Sequence, residues 1–219
     1  SSHIAIETTF GNLRYFKRLP EGTECAVATS KVINLSDVFG DSDQTNKFVT
    51  RYLQSTHCDL FFADAAILVE GVAESMLLPH FIRSKFPELY QRYITILGVN
   101  GRHAHRLSPL IEKLCLPTLV ITDLDPAEKE GYHKSVVPKR GEGQISGNYA
   151  IAKWLMKEKD IDKLVDYSED KKEFSFASPY RFSIRLAYQT PVKVDFEGEE
   201  KEAIPGTFED CLIYTNYDL

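Results

Sequence analysis

The chain has 219 residues, 43% hydrophobic and 11% aromatic, which is enough apolar material for one large domain or for a core with an accessory lobe. Its net charge, 26 − 32 = −6, argues against a protein that wraps nucleic acid over its whole surface, so a polyanion must be bound locally, by metal ions or a basic patch. No apolar run approaches the ~20 residues that span a bilayer, and the widely spaced cysteines favour core thiols over zinc or disulfides, so we expect a cytoplasmic protein without a membrane partner.

The first half of the chain predicts a helical lead-in followed by strands and helices in alternation. Residues 35–62 space their apolar side chains at helical intervals. A short apolar strand, "AAILVE" over 65–70, comes next, and residues 73–86 are helical in period although Pro79 interrupts them. The segment "YITILGV" over 93–99 is a second buried strand. The order strand, helix, strand is typical of a parallel pair joined by a crossover.

The alternation continues through one more helix and strand. Residues 105–115 predict a helix, and "TLVITDLD" over 118–125 predicts a third apolar strand that ends on acids. In open parallel sheets the chemistry collects beyond the carboxyl ends of the strands. We therefore expect Glu70, Asp123 and Asp125 to lie at one edge of the sheet.

The second half of the chain reads differently. Residues 145–159 predict an amphipathic helix, and 161–173 predict a solvated, charge-rich segment. Residues 182–200 predict two strands around Pro191 with a turn at Gly198. The segment "TFEDCLIYT" predicts a helix capped by a threonine.

Two acidic clusters follow the predicted strands. Gly71 permits a tight turn, so that Glu70 at the strand end and Glu74 in the first helical turn converge, while Asp123 and Asp125 are two apart and face the same side. Each cluster alone is weak evidence, because a glutamate is common in a first helical turn and "DLD" is a common strand exit. Together, four carboxylates on one small space require cations, and hard oxygen ligands favour two Mg²⁺ or Mn²⁺ ions, the usual clamp for phosphodiester cleavage.

These residues also carry a family resemblance. "VEGVAE" followed by "ITDLD" resembles the glutamate and D-x-D motifs of the Toprim domain, which topoisomerases, bacterial primases and some nucleases share. The longer match is with the OLD family (overcoming lysogenization defect), because "HAHRLSPLIEKL", "LVITDLDP", "RLAYQTPV" and "GTFEDCLIYTN" resemble its C-terminal catalytic region. The first residues resemble the exit of an ABC-type ATPase domain, which points to a fragment.

The resemblance implies a metal-dependent DNA endonuclease. Its full-length form would carry an N-terminal ABC-type ATPase, and its relatives act in defence against phage, some beside a Rep-like helicase. The family pattern implies that the metal ligands are Glu70, Glu74, Asp123 and Asp125, and that Glu209 is a further acidic ligand. Ser146 and Asn148 match a small polar cluster that the family places near the site, although helix capping explains them as well.

Basic residues follow the second predicted strand. The segment "GRHAHR" places Arg102, His103 and Arg106 beside the strand end at Val99, where they either contact a phosphate backbone or simply begin a solvated helix. The glycine spacing fits neither a P-loop nor a dinucleotide fingerprint, so we expect this chain not to hydrolyse ATP.

The sequence therefore predicts an α/β protein: a Toprim core with a parallel sheet flanked by helices, plus an accessory helical lobe. Residues 1–62 are expected to form a helical lead-in, and residues 63–219 the catalytic domain with later accessory helix and strand elements. Two alternatives stay open for the function. One is a topoisomerase- or primase-like Toprim domain, and the other is a non-catalytic DNA-binding module that retains its acids as structure.

Overall fold

The computed structural model describes residues 12–19, 21, 26–36, 38, 57–99, 103–130, 134–177 and 180–217. Strands in these residues are β1 (Arg14–Leu19), β2 (Thr29–Asn34), β3 (Ala65–Val69), β4 (Ile94–Gly98), β5 (Thr118–Ile121), β6 (Pro126–Ala127), β7 (Ile145–Ser146), β8 (Glu173–Phe176), β9 (Phe182–Ala187), β10 (Val192–Phe196) and β11 (Glu199–Ala203). The α-helices are α1 (Val72–Lys85), α2 (Pro87–Tyr90), α3 (Ser108–Leu114), α4 (Ile161–Val165) and α5 (Phe208–Thr215). Short 3-10 helices span Cys58–Phe61, Ala104–Leu107 and Glu169–Lys172.

A five-stranded sheet in the order β4-β3-β5-β9-β8 forms the centre of the protein. Strand β3 pairs in parallel with β4 and β5, and β5 pairs in parallel with β9, whereas β8 closes one side as an antiparallel strand. Helices α1 and α3 supply the crossovers of the first three parallel strands, as the alternating pattern predicts. The α/β prediction with a largely parallel sheet is confirmed.

The hydrophobic core lies against the central strands. Four of the five residues of β3 are buried, which explains its unbroken apolar sequence, because a central parallel strand is covered on both faces. Helix α1 runs on through Pro79, whose missing N–H removes one backbone hydrogen bond without ending the helix. Within the described residues, no helix is both long and apolar enough to cross a membrane.

The described part of the predicted helical lead-in contains strands. β1 and β2 pair antiparallel, and the burial of β1 alternates residue by residue, a period of two that a helix does not give. The Lys17 ammonium donates to the Leu114 and Cys115 carbonyl oxygens, at 2.9 and 3.1 Å, and so ties this hairpin to the end of α3. Residues 39–56, most of the segment predicted as helical, lie outside the described residues.

The segment 161–173, predicted as solvated, is partly core. Helix α4 buries Ile161, Leu164 and Val165, and the Asp160 side chain caps its start by accepting from the Lys163 N–H. Lys172 is 1% exposed. The many charged residues led to the prediction of a solvated segment, but three buried apolar residues suffice to anchor a short helix to the core.

Lys172 is a buried lysine with two partners. Its ammonium lies 2.8 Å from Glu169 Oε1 and 4.6 Å from the centre of the Tyr188 ring. The Tyr188 hydroxyl in turn donates to the Leu164 carbonyl at 2.8 Å. A salt bridge and an aromatic face together compensate for burying the charge.

The helix predicted over 145–159 is shorter than expected. Residues Ile145–Ser146 form β7, which pairs with β6, and a π-helical turn follows at Ala150–Trp154. The later predictions hold better: Gly198, at φ 82°, lies in the turn between β10 and β11. Thr207 caps α5 in a capping box with Asp210.

Candidate functional site

Three predicted ligands lie just beyond the carboxyl ends of adjacent strands. Glu70 follows β3 directly, and Asp123 and Asp125 follow β5. Because β3 and β5 are parallel neighbours, their carboxyl ends meet at the same edge of the sheet. This edge, called the carboxyl edge below, is where the acidic residues collect.

A polar network holds the Glu70 carboxylate. The Thr122 hydroxyl donates to Glu70 Oε1, and the Asn148 amide nitrogen donates to the same oxygen at 2.5 Å. The Asn148 nitrogen also lies 2.8 Å from Thr122 Oγ1 and 3.3 Å from Asp125 Oδ2. Asn148 is fully buried, so it bridges the two acidic clusters from the protein interior.

The Asp123 carboxylate is held by different elements. Its Oδ1 accepts from Gln189 Nε2 at 2.5 Å and from the backbone N–H of Phe208, the first residue of α5, at 3.0 Å. Gln189 is itself fixed, because its Oε1 accepts from the Leu124 N–H at 2.9 Å. A helix N-terminus and a side-chain amide therefore stabilise the charged form of this carboxylate.

Asp125 connects the D-x-D segment to the Asn148 loop. Its φ of 47° is left-handed, a conformation that aspartate adopts more readily than most residues. The Asp125 carbonyl accepts from the Gly147 N–H at 2.9 Å. This bond places Asn148 beside the acids.

Glu74 is 3% exposed although it lies in the first turn of α1. A Cβ at Gly71 would lie 2.5 Å from Glu74 Oε2, so the glycine leaves space for this carboxylate. Gly71 has φ −118° and ψ 176°, which any residue adopts. The glycine therefore leaves room for the Glu74 carboxylate in its present position, whereas its backbone conformation does not require a glycine as the sequence suggests.

Burial and the charges of neighbouring carboxylates raise the pKa of Asp123 and of Glu70. Burial first, and then the charges of Glu70, Glu74 and Asp125, together raise the pKa of Asp123 to about 7 against the opposing hydrogen bond from Gln189. Burial also raises the pKa of Glu70, and the hydrogen bonds from Thr122 and Asn148 oppose that rise. The charged groups that act on Asp123 are thus three carboxylates, an environment that favours a cation.

The raised pKa predicts a pH-dependent stability. Without divalent ions, the folded protein binds a proton at Asp123 that the unfolded chain releases near pH 4, so stability should fall as pH rises from about 4 through about 7. Melting temperatures in EDTA should therefore decrease across this window by more in the wild type than in Asp123→Asn. Equal pH profiles for the two proteins would contradict the raised pKa.

The chemistry of these side chains fits a hard cation. All four acids offer oxygen donors, and carboxylate oxygens are the ligands that Mg²⁺ and Mn²⁺ prefer. Throughout the described ranges, no three His, Cys, Asp or Glu side chains already form a metal-ligating group. The acids are close enough for their charges to act on Asp123, but their side chains would have to change orientation to bind the same ion.

The remaining predicted site residues differ in their positions. Glu209 is exposed in the first turn of α5, one residue beyond the Phe208 N–H that contacts Asp123. Ser146 is 2% exposed, and its hydroxyl accepts from the Asn148 N–H at 3.1 Å. His103 and Arg106 are half-buried at the 3-10 helix Ala104–Leu107, and Arg102 lies outside the described residues.

Two network residues were missed in the sequence. Thr122 lies between strand β5 and Asp123, and its hydroxyl contacts Glu70. Gln189 follows β9, which is parallel to β5, so its polar side chain reaches the same carboxyl edge. Polar residues within two positions of the carboxyl ends of β5 and β9 were the available signal.

A parallel α/β sheet with a glutamate after one strand and a D-x-D after its neighbour defines a Toprim-type domain. Residues 61–125 match the family model described as "Overcoming lysogenization defect protein-like, TOPRIM domain". This match confirms the resemblance over residues 61–125, which are similar to an OLD-like Toprim domain.

A curated relative extends the similarity beyond that segment. The chain is 27% identical over 226 aligned positions to "Endonuclease GajA" of Bacillus cereus (strain HuB5-5). The alignment covers 99% of this chain and 29% of the relative. This chain therefore spans less than a third of the length of that protein.

Proposed function

We propose that this chain is the catalytic region of a Mg²⁺- or Mn²⁺-dependent DNA endonuclease. The observation that carries the proposal is the convergence of Glu70, Asp123 and Asp125 on one edge, where Asp123 has a pKa of about 7 among carboxylates. The similarity to a protein named as an endonuclease supports the same reaction class.

In this proposal the acids are metal ligands and their polar neighbours orient them. Glu70, Glu74, Asp123 and Asp125 would hold two ions, with Glu209 as a further ligand. When bound, two such ions lower the pKa of an attacking water and stabilise the leaving 3′ oxygen. Thr122 and Asn148 keep the Glu70 carboxylate oriented, and Gln189 with the Phe208 N–H does so for Asp123.

The larger setting is also a proposal. From the resemblance to the OLD family we infer an N-terminal ABC-type ATPase in the complete protein, and a matched relative of which this chain covers 29% leaves room for such a domain. A cytoplasmic role in phage defence, in some cases beside a Rep-like helicase, follows from the resemblance to the OLD family.

The choice of metal provides a direct test. We expect the chain to nick supercoiled plasmid with Mg²⁺ and faster with Mn²⁺, because Mg²⁺ demands stricter octahedral geometry and dehydrates more reluctantly. Ca²⁺ should raise the melting temperature without supporting cleavage, since its longer and more flexible bonds hold the reacting groups poorly. Initial nicking rates and melting curves in each ion measure both effects.

The same assay separates the alternatives. Cleavage that persists in excess EDTA would rule out the metal-dependent proposal. A change in linking number without nicked product would favour the topoisomerase-like alternative. Metal-dependent DNA binding without any change in the plasmid would favour the non-catalytic module.

A further inference from the structure

An exposed tyrosine lies among basic side chains next to the acidic network. Tyr149 is 43% exposed. The Lys153 ammonium lies 3.9 Å from the centre of its ring, and the His105 ring meets it edge to face at 5.4 Å with an interplanar angle of 85°. The tyrosine ring is thus oriented by two neighbours while much of its surface faces solvent.

This cluster belongs to the carboxyl edge. Tyr149 directly follows Asn148, whose amide contacts Glu70 and Asp125, so the two Cα atoms are about 3.8 Å apart. His105 lies beyond β4, and the Val99 N–H at the end of β4 donates to the Val69 carbonyl at 2.8 Å, level with the end of β3. Tyr149 is therefore the chain neighbour of a residue that contacts two of the acids, and its ring packs on a side chain that follows the adjacent strand at the same edge.

The composition of the cluster suits a nucleic-acid strand. Lys153, whose ammonium lies over the ring, is exposed, and Arg106 is half-buried on the same 3-10 helix as His105, so basic side chains accompany the aromatic ring. Cations bind the phosphates of a strand, and an exposed ring stacks on bases whatever their sequence. A base stacks on a protein side chain only after leaving its own helical stack, so the ring favours unpaired nucleotides.

We propose that Tyr149 stacks on an unpaired nucleobase beside the phosphate that the acids engage, while Lys153 contacts the neighbouring backbone. The preferred substrate is then DNA with unpaired bases at the cut, such as a mismatch bubble or a fork. This inference rests on the proposed function for the identity of the polymer, and it adds the structure of the substrate.

The test compares two DNAs and three tyrosine variants. Fluorescence anisotropy in Ca²⁺ measures binding of a labelled duplex with a central mismatch bubble and of the same duplex fully paired. Tyr149→Ala should weaken bubble binding by about 5-fold to 100-fold and paired-duplex binding by less than about 2-fold. Tyr149→Phe keeps the ring and should bind like the wild type.

Tyr90 provides the matched control. It is 58% exposed in α2, close to Tyr93, whose carbonyl accepts from the Asp64 N–H at the opposite, amino end of β3. Tyr90→Ala should leave both affinities unchanged. Lys153→Gln should weaken binding to both DNAs and reduce the salt dependence by about one phosphate contact.

The outcomes separate this inference from the proposed function. A wild type that binds both DNAs equally, or a Tyr149→Ala variant that keeps the bubble preference, overturns the inference even if the plasmid is nicked. A Tyr149-dependent bubble preference in a wild type that cleaves neither the plasmid nor the bubble DNA in Mg²⁺ or Mn²⁺ upholds the inference and overturns the nuclease. An equal loss of affinity for both DNAs in Tyr149→Ala also overturns the inference, because stacking on an unpaired base should affect only the bubble DNA.

Discussion

Asp123→Asn is expected to reduce plasmid nicking by at least roughly a hundredfold. Loss of a residue that only supports a metal ligand costs up to about a hundredfold, and loss of a ligand itself should cost no less. The asparagine carbonyl can still accept from Gln189 and from the Phe208 N–H, so the local hydrogen bonds survive while the charge is lost. Glu70→Gln should behave alike, because its carbonyl can still accept from Thr122 and Asn148. Initial rates in Mg²⁺ and Mn²⁺ measure the loss.

Stability measured in EDTA distinguishes a ligand from a structural acid. Removing one charge from a cluster of carboxylates relieves repulsion, so the melting temperature of Asp123→Asn should be equal to or above that of the wild type at pH 8. Asp64→Asn is the matched control, since Asp64 is exposed before β3 and its carboxylate accepts from the Tyr93 N–H at 3.1 Å. Wild-type nicking by Asp123→Asn would refute the two-metal proposal, and a melting temperature lowered by many degrees would indicate a structural role.

The acids could be placed from sequence because their signal is local. A buried parallel strand is almost wholly apolar, so the first charged residue after it marks the strand end, as Glu70 does after β3. The alternating helices then predict that the strands run parallel, so that their carboxyl ends lie at the same edge of the sheet. For these residues, the position directly after an apolar run in the sequence therefore predicts a location at the carboxyl edge of the sheet.

The partners of the acids could not be placed in the same way. Gln189 reaches Asp123 only because β9 pairs with β5, and no local pattern specifies a pairing between strands some sixty residues apart. Asn148 reaches Glu70 through the β6–β7 pairing, each strand only two residues long. Such contacts depend on tertiary structure, which overrides local propensity.

In the predicted helical lead-in, the local sequence pattern did not reveal strand β1. The sequence of β1, "RYFKRL", mixes charged and aromatic residues, and its period of two is masked because Lys17 and Tyr15 face inward with Leu19. Lys17 is tolerated there because its ammonium reaches the carbonyl oxygens that α3 leaves unpaired at its C-terminus. In this position the lysine side chain caps the C-terminus of a helix.

Asn148→Asp is expected to give the second large effect. The change keeps the size of the side chain but replaces the amide donor with a carboxylate, next to Glu70 Oε1 at 2.5 Å and Asp125 Oδ2 at 3.3 Å. Because Asn148 is fully buried, the new charge cannot escape into water, and its neighbours repel it. We expect a lower melting temperature in EDTA and a loss of nicking of about 10-fold to 100-fold.

The effect of divalent ions on the stability of Asn148→Asp distinguishes a metal centre from a structural polar network. If the acids hold cations, Mn²⁺ should restore much of the stability of Asn148→Asp, since an added carboxylate strengthens the attraction for a cation as much as it strengthens repulsion without one. Asn34→Asp is the control: Asn34 is exposed at the end of β2, and its side-chain oxygen accepts from the Ser36 N–H at 3.0 Å, a bond that aspartate keeps. Asn34→Asp should melt and cleave like the wild type. If Asn148→Asp is as unstable in Mn²⁺ as in EDTA, the carboxyl edge is a polar structural network instead of a metal centre. A buried excess charge that faced an ion site would be neutralised by the added cation.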